Sequence, residues 1–406
     1  MLLNVARSDM EWKTVKISEI ADIINGGTPK TTIPEYWEGD IPWLSVKDFN
    51  NGKKFVKDAE RHITKDGLEH SATNLLYPED IIISARGTVG VIAMLSNTMA
   101  FNQSCFGLRA RDFDAHYLYY LLKVKVGELQ SQSQGSVFDT IVRATFDRIE
   151  CDVPVSLDEQ KRIAAVLSSL DEKIENNSRI NANLEAQAQA LYKSWFVNFD
   201  PWGGIMPDDW KEVSLDDMTS KFGTGLNPRK NFKLGEGENY YVTIKNMADN
   251  RVYLDERCDK VTDEAIEKIN KRSKLQAGDL LFSGIGTIGR VALVTEIPTN
   301  WNTSESVFNL HPAENISSEF LYVLLLSDEF QQYVKVYAQG GVQQGIRMAS
   351  LKDYKMRIPG DNLMRQFDER IIPIISRIKN LEKENDRLAQ LRDTLLPKLM
   401  KGEIDL

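Results

Sequence analysis

The chain has 406 residues, a net charge of −9 and an apolar fraction of 42%, the make-up of an ordinary globular protein with room for two to four domains. No apolar run approaches the roughly 18–20 residues of a membrane span, and charges follow Met1-Leu2-Leu3-Asn4 too soon for a signal peptide. Three scattered cysteines (Cys105, Cys151, Cys258) and four histidines form no redox or metal-ligand spacing, so a reducing cytoplasm without a structural metal is expected, and the acidic balance speaks against nucleic acid unless basic groups gather on particular faces.

Residues 1–156 read as a first mixed α+β unit. Short apolar runs (Val15–Ile17, Ile41–Val46, Asp80–Ser84, Val91–Leu95) are separated by the turn signals Asn50-Asn51-Gly52 and Pro78-Glu79-Asp80, and His116 to about Gln130 reads as a helix. At Ser156-Leu157-Asp158-Glu159 a capping box predicts a helix start. From there Ile163, Leu167, Leu170, Ile174, Asn177, Asn181, Leu184, Ala188, Leu191 and Trp195 alternate by four and three, a coiled-coil seam over 157–198. Residues 199–207, opening Phe199-Asp200-Pro201-Trp202-Gly203-Gly204, read as a linker. A second unit of the same character spans 208–360. The closing helix, 361–406, carries Ile371, Ile374, Ile378, Leu381, Asn385, Leu388 and Leu395 in the same seam, and Pro373 is expected to kink it or delay its regular part.

Asparagine at a seam position penalises wrong registers more than the right one. An antiparallel pair with Asn385 between Asn177 and Asn181 gives partners whose numbers sum to about 564, with Ile163 near Lys401 and Trp195 near Glu369. Roughly 36 paired residues then span about 54 Å.

The two halves repeat each other. Ile83-Ser84-Ala85-Arg86-Gly87-Thr88-Val89-Gly90 is answered 199 residues later by Phe282-Ser283-Gly284-Ile285-Gly286-Thr287-Ile288-Gly289. Glu11-Trp12-Lys13 answers to Asp209-Trp210-Lys211, Gly26-Gly27-Thr28-Pro29 to Gly225-Leu226-Asn227-Pro228, and Val153-Pro154 to Ile358-Pro359. The period is far too long for a solenoid, whose repeats are about 20–50 residues. It fits a duplicated domain-plus-helix unit that meets a two-part partner.

Several catalytic signatures dissolve on inspection. Gly284-Ile285-Gly286-Thr287-Ile288-Gly289 has the form of a dinucleotide loop, but the β-like Arg290-Val291-Ala292-Leu293-Val294 follows where a helix is needed, so a tight hairpin is expected. Phe222-Gly223-Thr224-Gly225 lacks the Asn/Asp-Pro-Pro-aromatic companion of an adenine methyltransferase, and no phosphate-binding P-loop is present. Glu11-Trp12-Lys13 and Asp209-Trp210-Lys211 lack the upstream acidic partner of a metal-dependent nuclease. No catalytic residues and no metal ligands are expected.

What remains are polar side chains on turns at matched places. Ser45-Val46-Lys47-Asp48 pairs with Thr243-Ile244-Lys245-Asn246, and Ser84 and Arg86 pair with Ser283 and Ile285. Asn102-Gln103-Ser104 is matched to Asn302-Thr303-Ser304, and Gln134 and Ser136 to the stretch holding Gln343 and Gln344. With Lys30, Arg229 and Lys230 these are the candidate DNA contacts, since amides, hydroxyls and sparse cations are what grip phosphates and meet base edges.

The ensemble of Gly26-Gly27-Thr28-Pro29, Ile41-Pro42-Trp43-Leu44, Arg86-Gly87-Thr88-Val89-Gly90, Phe101-Asn102-Gln103 and Val153-Pro154 leading to Glu159-Gln160-Lys161-Arg162-Ile163 resembles the specificity subunit of a Type I restriction–modification system, over almost the whole chain. The second copy keeps Gly286-Thr287-Ile288-Gly289 but has Met364-Arg365-Gln366-Phe367 at the start of its helix. The resemblance implies two inverted target-recognition domains on an antiparallel helix pair, each meeting half of a bipartite asymmetric double-stranded DNA site, with the helices as a ruler. It implies a non-catalytic cytoplasmic subunit that holds two modification subunits, which methylate adenine with S-adenosylmethionine, and restriction subunits that use ATP and magnesium. None of these cofactors is expected on this chain. A protein-interaction scaffold, with two unlike binding domains on a coiled-coil rod and no DNA role, also accounts for the duplication, the helices and the acidity.

Overall fold

The computed structural model describes residues 10–131, 140–340 and 344–404. It divides into two units, Met1–Ser178 with Lys383–Leu406, and Arg179–Glu382. Each takes part of both long helices.

In the first unit Trp12–Lys16 pairs antiparallel with Glu150–Pro154, bringing the start and end of the domain together. A five-stranded sheet runs in the order Ala21–Asn25, Cys105–Ala110, Ile81–Ser84, Ile92–Leu95, Phe55–Val56. A four-stranded one runs His62–Ile63, Trp37–Leu44, Met99–Phe101, Leu75–Leu76. The strand Ile81–Ser84 is buried throughout because both of its faces are covered. Ile81 and Ile83 pack with the helix Ala115–Ser131 and with Ile163, Leu167, Leu399 and Met400 of the long helices, while Ile82 faces a second core with Leu44, Leu95 and Phe101. Successive side chains alternate across a sheet, so one strand serves two cores.

The second unit repeats this plan. Lys211–Ser214 pairs with Lys355–Ile358. Thr219–Thr224, Val307–Pro312, Leu280–Ser283 and Val291–Leu293 form one sheet, and Asp259–Val261, Asn239–Val242 and Trp301–Thr303 another. Even the mixed pairing is kept: Trp37–Leu44 runs parallel to Met99–Phe101, and Asn239–Val242 parallel to Trp301–Thr303. Leu280 and Phe282 face the core shared with the helices, and Leu281 the other.

The long helices are Leu157–Phe196 and Asp361–Met400, 40 residues each. The first starts at Ser156, whose hydroxyl accepts from the Glu159 amide at 3.5 Å, and ends before Phe199, which adopts a left-handed conformation (φ 57°). Pro373 does not delay the second, which is helical from Asp361 onward. One missing N–H costs one backbone bond, and Phe367, Ile371, Ile375 and Ile378, all buried, hold the turns on either side.

The helices pair antiparallel. In the first unit Asn177 Nδ2 donates to Asn385 Oδ1 at 2.9 Å, and Arg392 donates to Asp171 at 2.7 Å. In the second, Asn181 donates to the Ile378 carbonyl at 3.4 Å, and Trp195 meets Phe367 edge-on at 5.5 Å. Partner numbers sum to about 562 (177 with 385, 195 with 367), two short of the sequence-based register. Asn385 therefore lies over Asn177 and Ser178 and not midway to Asn181.

Candidate nucleic-acid interface

In each unit a set of loops is stitched together at matched ends of the two sheets. In the first, the Gly27 amide donates to Phe101 O (2.9 Å), the Asn102 amide to Leu44 O (2.9 Å) and the Ala85 amide to Ser104 O (2.8 Å), and the Trp43 indole donates to Gly27 O (2.9 Å). Four segments, 26–30, 43–48, 84–90 and 101–104, form one edge. Gly26 is required there, because a Cβ would lie 2.1 Å from the Asn102 carbonyl oxygen. Its counterpart Gly225 would meet the Thr303 carbonyl at 1.7 Å.

The candidate residues separate into those that build this edge and those that protrude from it. Ser84 and Ser283 are fully buried. Ser84 Oγ donates to Thr88 O and accepts from the Val91 amide (2.8 Å); Ser283 Oγ donates to Thr287 O (2.7 Å) and accepts from the Arg290 amide (2.8 Å). Each serine ties a hairpin turn whose glycines, Gly87 and Gly90 or Gly286 and Gly289, have φ of 76–91°, a region open to glycine. The apparent dinucleotide loop is thus a turn between the antiparallel strands Leu280–Ser283 and Val291–Leu293. Both hydroxyls are taken up by these local bonds. Ser45 and Thr243 also turn inward: the amide and hydroxyl of Ser45 donate to Asp48 at 2.7 and 2.8 Å, and those of Thr243 to Asn246 at 2.9 and 3.1 Å, with Asn246 buried.

The sequence match at Asn102-Gln103-Ser104 needs correction. The bonds that hold this loop recur in the second unit from the Ser304 amide to Val242 O and from the Gly284 amide to Ser306 O, both 2.8–2.9 Å. Asn102, Gln103 and Ser104 therefore correspond to Ser304, Glu305 and Ser306. Asn302 and Thr303 fall instead in the buried strand Trp301–Thr303, where Asn302 Nδ2 donates to Asn270 (2.8 Å) and to Ser273 O (2.9 Å), and Thr303 is fully buried. The mismatch arises because the segment before this loop is longer in the second copy, carrying Thr295–Asn300 where the first has Ser96–Thr98.

Lys30, Lys47, Arg86 and Gln103 are exposed in the first unit, and Arg229, Lys230, Lys245 and Gln344 in the second. Asn102, Ser104 and Glu305 are half-buried, whereas Ser304 is buried with its hydroxyl 2.7 Å from that of Ser306. Gln344 is joined to the turn through its main chain, its carbonyl accepting from the Gly286 amide at 2.8 Å. Gln134, Ser136 and Gln343 lie outside the described residues. Asn177, Asn181 and Asn385 belong to the helix seam described above.

Two features were not read from the sequence. The smaller sheet of each unit carries a cation over an aromatic ring at its edge strand: Arg61 at 3.6 Å from the Trp37 centroid, and Lys260 at 3.3 Å from that of Tyr240. These pairs lie across strands, so spacing along the chain does not show them. The other is Glu305, which accepts from Asn227 Nδ2 and from Tyr241 OH (3.2 Å). Burial, then the neighbouring carboxylate, push the Tyr241 phenol above its ordinary range.

Among the described residues no three His, Cys, Asp or Glu side chains converge as metal ligands. The three cysteines are buried and unpaired, and burial pushes the Cys105 thiol up to about 12 and Cys151 to about 11, away from the thiolate a nucleophile needs. No described helix is long and apolar enough to cross a membrane.

The family model for the Type I restriction modification DNA specificity domain matches twice, at residues 10–186 and 207–392. The chain is 28% identical to the Type I restriction enzyme MjaIX specificity subunit of Methanocaldococcus jannaschii over 99% of its length and 95% of the relative's, and 24% identical to the MjaVIII specificity subunit of the same organism over 97% and 93%. Its fold resembles that of the S subunit of a Type I restriction–modification system from M. genitalium, with a TM-score of 0.60 at 19% identity and 98% coverage of both chains. Two domain matches, each spanning one globular module and its share of the helix pair, place this chain in the family of Type I restriction–modification DNA specificity subunits.

Proposed function

We propose that this chain recognises a bipartite, asymmetric double-stranded DNA site, one half per module, and directs adenine methylation and restriction by partner subunits while performing no chemistry itself. The observation that carries this is the pair of homologous loop edges: the framework bonds are repeated, while the residues at matched positions differ, Arg86 against Ile285 and Gln103 against Glu305. Shared scaffolding with divergent tips is the arrangement expected of two related modules that discriminate different sequences. The exposed lysines and arginines on these edges supply phosphate contacts, and the amides and carboxylates base-edge contacts. Relatives named as restriction-enzyme subunits support partners of the same kind here: two modification subunits carrying S-adenosylmethionine and restriction subunits using ATP and magnesium, assembled in the cytoplasm.

The test is to co-express the chain with its modification subunit in a host free of DNA methylation and to map N6-methyladenine across the genome. One split motif with a constant gap is the expected result. A soluble, co-purifying complex that methylates nothing would favour an interaction scaffold instead.

A further inference from the structure

The two units fill one equivalent place differently. Residues of the long helices correspond at an offset of 204: Ile163, Leu167, Leu396 and Leu399 in the core of the first unit answer to Phe367, Ile371, Tyr192 and Trp195 in that of the second. The module helix packed against them corresponds at 203, since Asp114 caps the Tyr117 amide as Ser317 caps that of Phe320. Asp171 and Arg392 are therefore the counterparts of Ile375 and Ala188, and Tyr120 is that of Val323.

In the first unit this place is filled by a polar cluster. Arg392 donates to Asp171 at 2.7 Å and Tyr120 OH donates to the same carboxylate at 2.6 Å, with Lys54 Nζ 3.3 Å from Tyr120 OH. In the second unit Ala188, Val323 and Ile375 are too short to do the same, and they line a cleft of about 290 Å³. That is close to the lower end of small-molecule sites. Ala182 and Ala186 also line it and are exposed, so no long side chain closes it.

The polar groups of the cleft lack a cation. Tyr322 lines it and is 1% exposed, and its hydroxyl has no partner among the described residues, an arrangement that costs free energy until something bonds to it. Glu185 lines it one helical turn before Ala188, beside Asn250, and is half-buried. Lys379 is the ammonium nearby, but it is held by Glu382 (3.0 Å) and the Asn250 carbonyl (3.3 Å). Glu185, Glu382 and Asp249 thus face a single positive charge, and burial raises the Glu185 carboxyl above its ordinary range. A donor carrying positive charge on an apolar stem answers all of these groups at once.

We propose that this cleft binds an alkylguanidinium, with the charged head on Glu185 and the Tyr322 oxygen and the chain along Val323 and Ile375. The ligand supplies from outside the group that Arg392 supplies from within the first unit.

Titration calorimetry of the full chain with butylguanidinium, and with butylurea as its neutral isostere, tests the site. The wild type is expected to bind butylguanidinium about tenfold or more tightly than butylurea. Glu185→Gln should remove that preference, and Ala188→Arg, which restores the first unit's side chain at this place, should abolish binding of both. The comparison of the two ligands on the wild type holds however the variants fold. Equal affinity for both ligands, no binding of butylguanidinium at millimolar concentration, or binding unchanged in Glu185→Gln overturns the proposal. Once binding is found, the same titration on the complex with the modification subunit proposed above identifies the source of the guanidinium. A free metabolite leaves the cleft open to butylguanidinium there, whereas an arginine side chain of that subunit already occupies it.

Discussion

Single residues carry most of the difference between a frame and a contact surface. Ser84 and Gln103 look alike in the sequence, as polar residues on turns near glycine. The structure separates them by burial: the serine hydroxyl is used up by two local partners, and the amide protrudes. The sequence reveals which residues lie on turns, because glycine and its neighbours signal tight backbone, but not which way each side chain faces. Lys54 is a sharper case, since nothing in Lys53-Lys54 marks one lysine as buried. It is 7% exposed and donates to Ser168 Oγ (2.7 Å), His116 Nδ1 (2.9 Å) and Tyr120 OH (3.3 Å), with the rings of Phe55, Tyr119 and Tyr120 within 5.5 Å. Burial lowers its ammonium to about 8, against the pull of Asp171, Glu172 and Asp114 and with the push of Lys123. His116 is lowered as well, by burial and then by Lys54. Below pH 8 the folded and unfolded chains both carry the lysine proton. Between about 8 and the unfolded value near 10.5 only the unfolded chain keeps it, so stability rises with pH. The neighbouring Tyr119 and Tyr120 phenols, held above their usual range, reverse the trend once unfolded tyrosines ionise near pH 10. Relative to Lys54→Met, the wild type should gain up to about 2 kcal/mol between pH 7 and 9.5 in urea unfolding. A difference that stays flat with pH would show that Lys54 reaches solvent.

At the scale of elements, the long helices were legible and their register nearly so. The seam repeats every 3.5 residues, a period no strand shares, and the asparagines limit the pairing. The residual error of two residues comes from packing at the helix ends, where Trp195, Phe196, Phe320 and Phe367 interlock edge-on, a fit that a pattern of apolar positions does not specify. The asparagines themselves are imperfectly satisfied. Asn177 Nδ2 reaches both Glu384 (3.0 Å) and Asn385 (2.9 Å), but the side-chain oxygens of Asn177 and Asn181 are buried without a partner. Such residues select a register at a cost in stability. Asn385→Leu alone should lower stability by about 1–3 kcal/mol, because it leaves the Asn177 amide facing leucine. Replacing both Asn177 and Asn385 by leucine should recover that loss and exceed the wild type, while loosening the choice of register. Urea midpoints of the three proteins decide the matter. A double variant no more stable than the single one would mean that the pair stabilises the helices and does not merely align them.

At the scale of the whole molecule, the duplication was visible wherever turn chemistry is preserved and blurred wherever a loop changed length. The offset between copies is 198 at Leu44 and Val242, 199 at Ser84 and Ser283, and 202 at Ser104 and Ser306. An offset of 200 therefore misplaced Asn302 and Thr303, while an offset of 199 placed Gly225 and Ser283 correctly. The helices keep equal length through this drift, 40 residues each. If the helix pair fixes the gap between the two half-sites, length added there should appear in the DNA. Inserting one heptad between Asn181 and Ala182, and a matching one between Arg377 and Ile378, preserves the seam because seven residues return nearly to the same face. At 1.5 Å per residue the insertion adds about 10 Å, or roughly three base pairs at 3.4 Å each. The methylation map of this variant should keep both half-sites and widen the gap by about that amount, with weaker modification, since half-sites moved by three base pairs also turn about the DNA axis. Unchanged spacing with both half-sites still methylated would mean that the gap is set by the modification subunits and not by these helices.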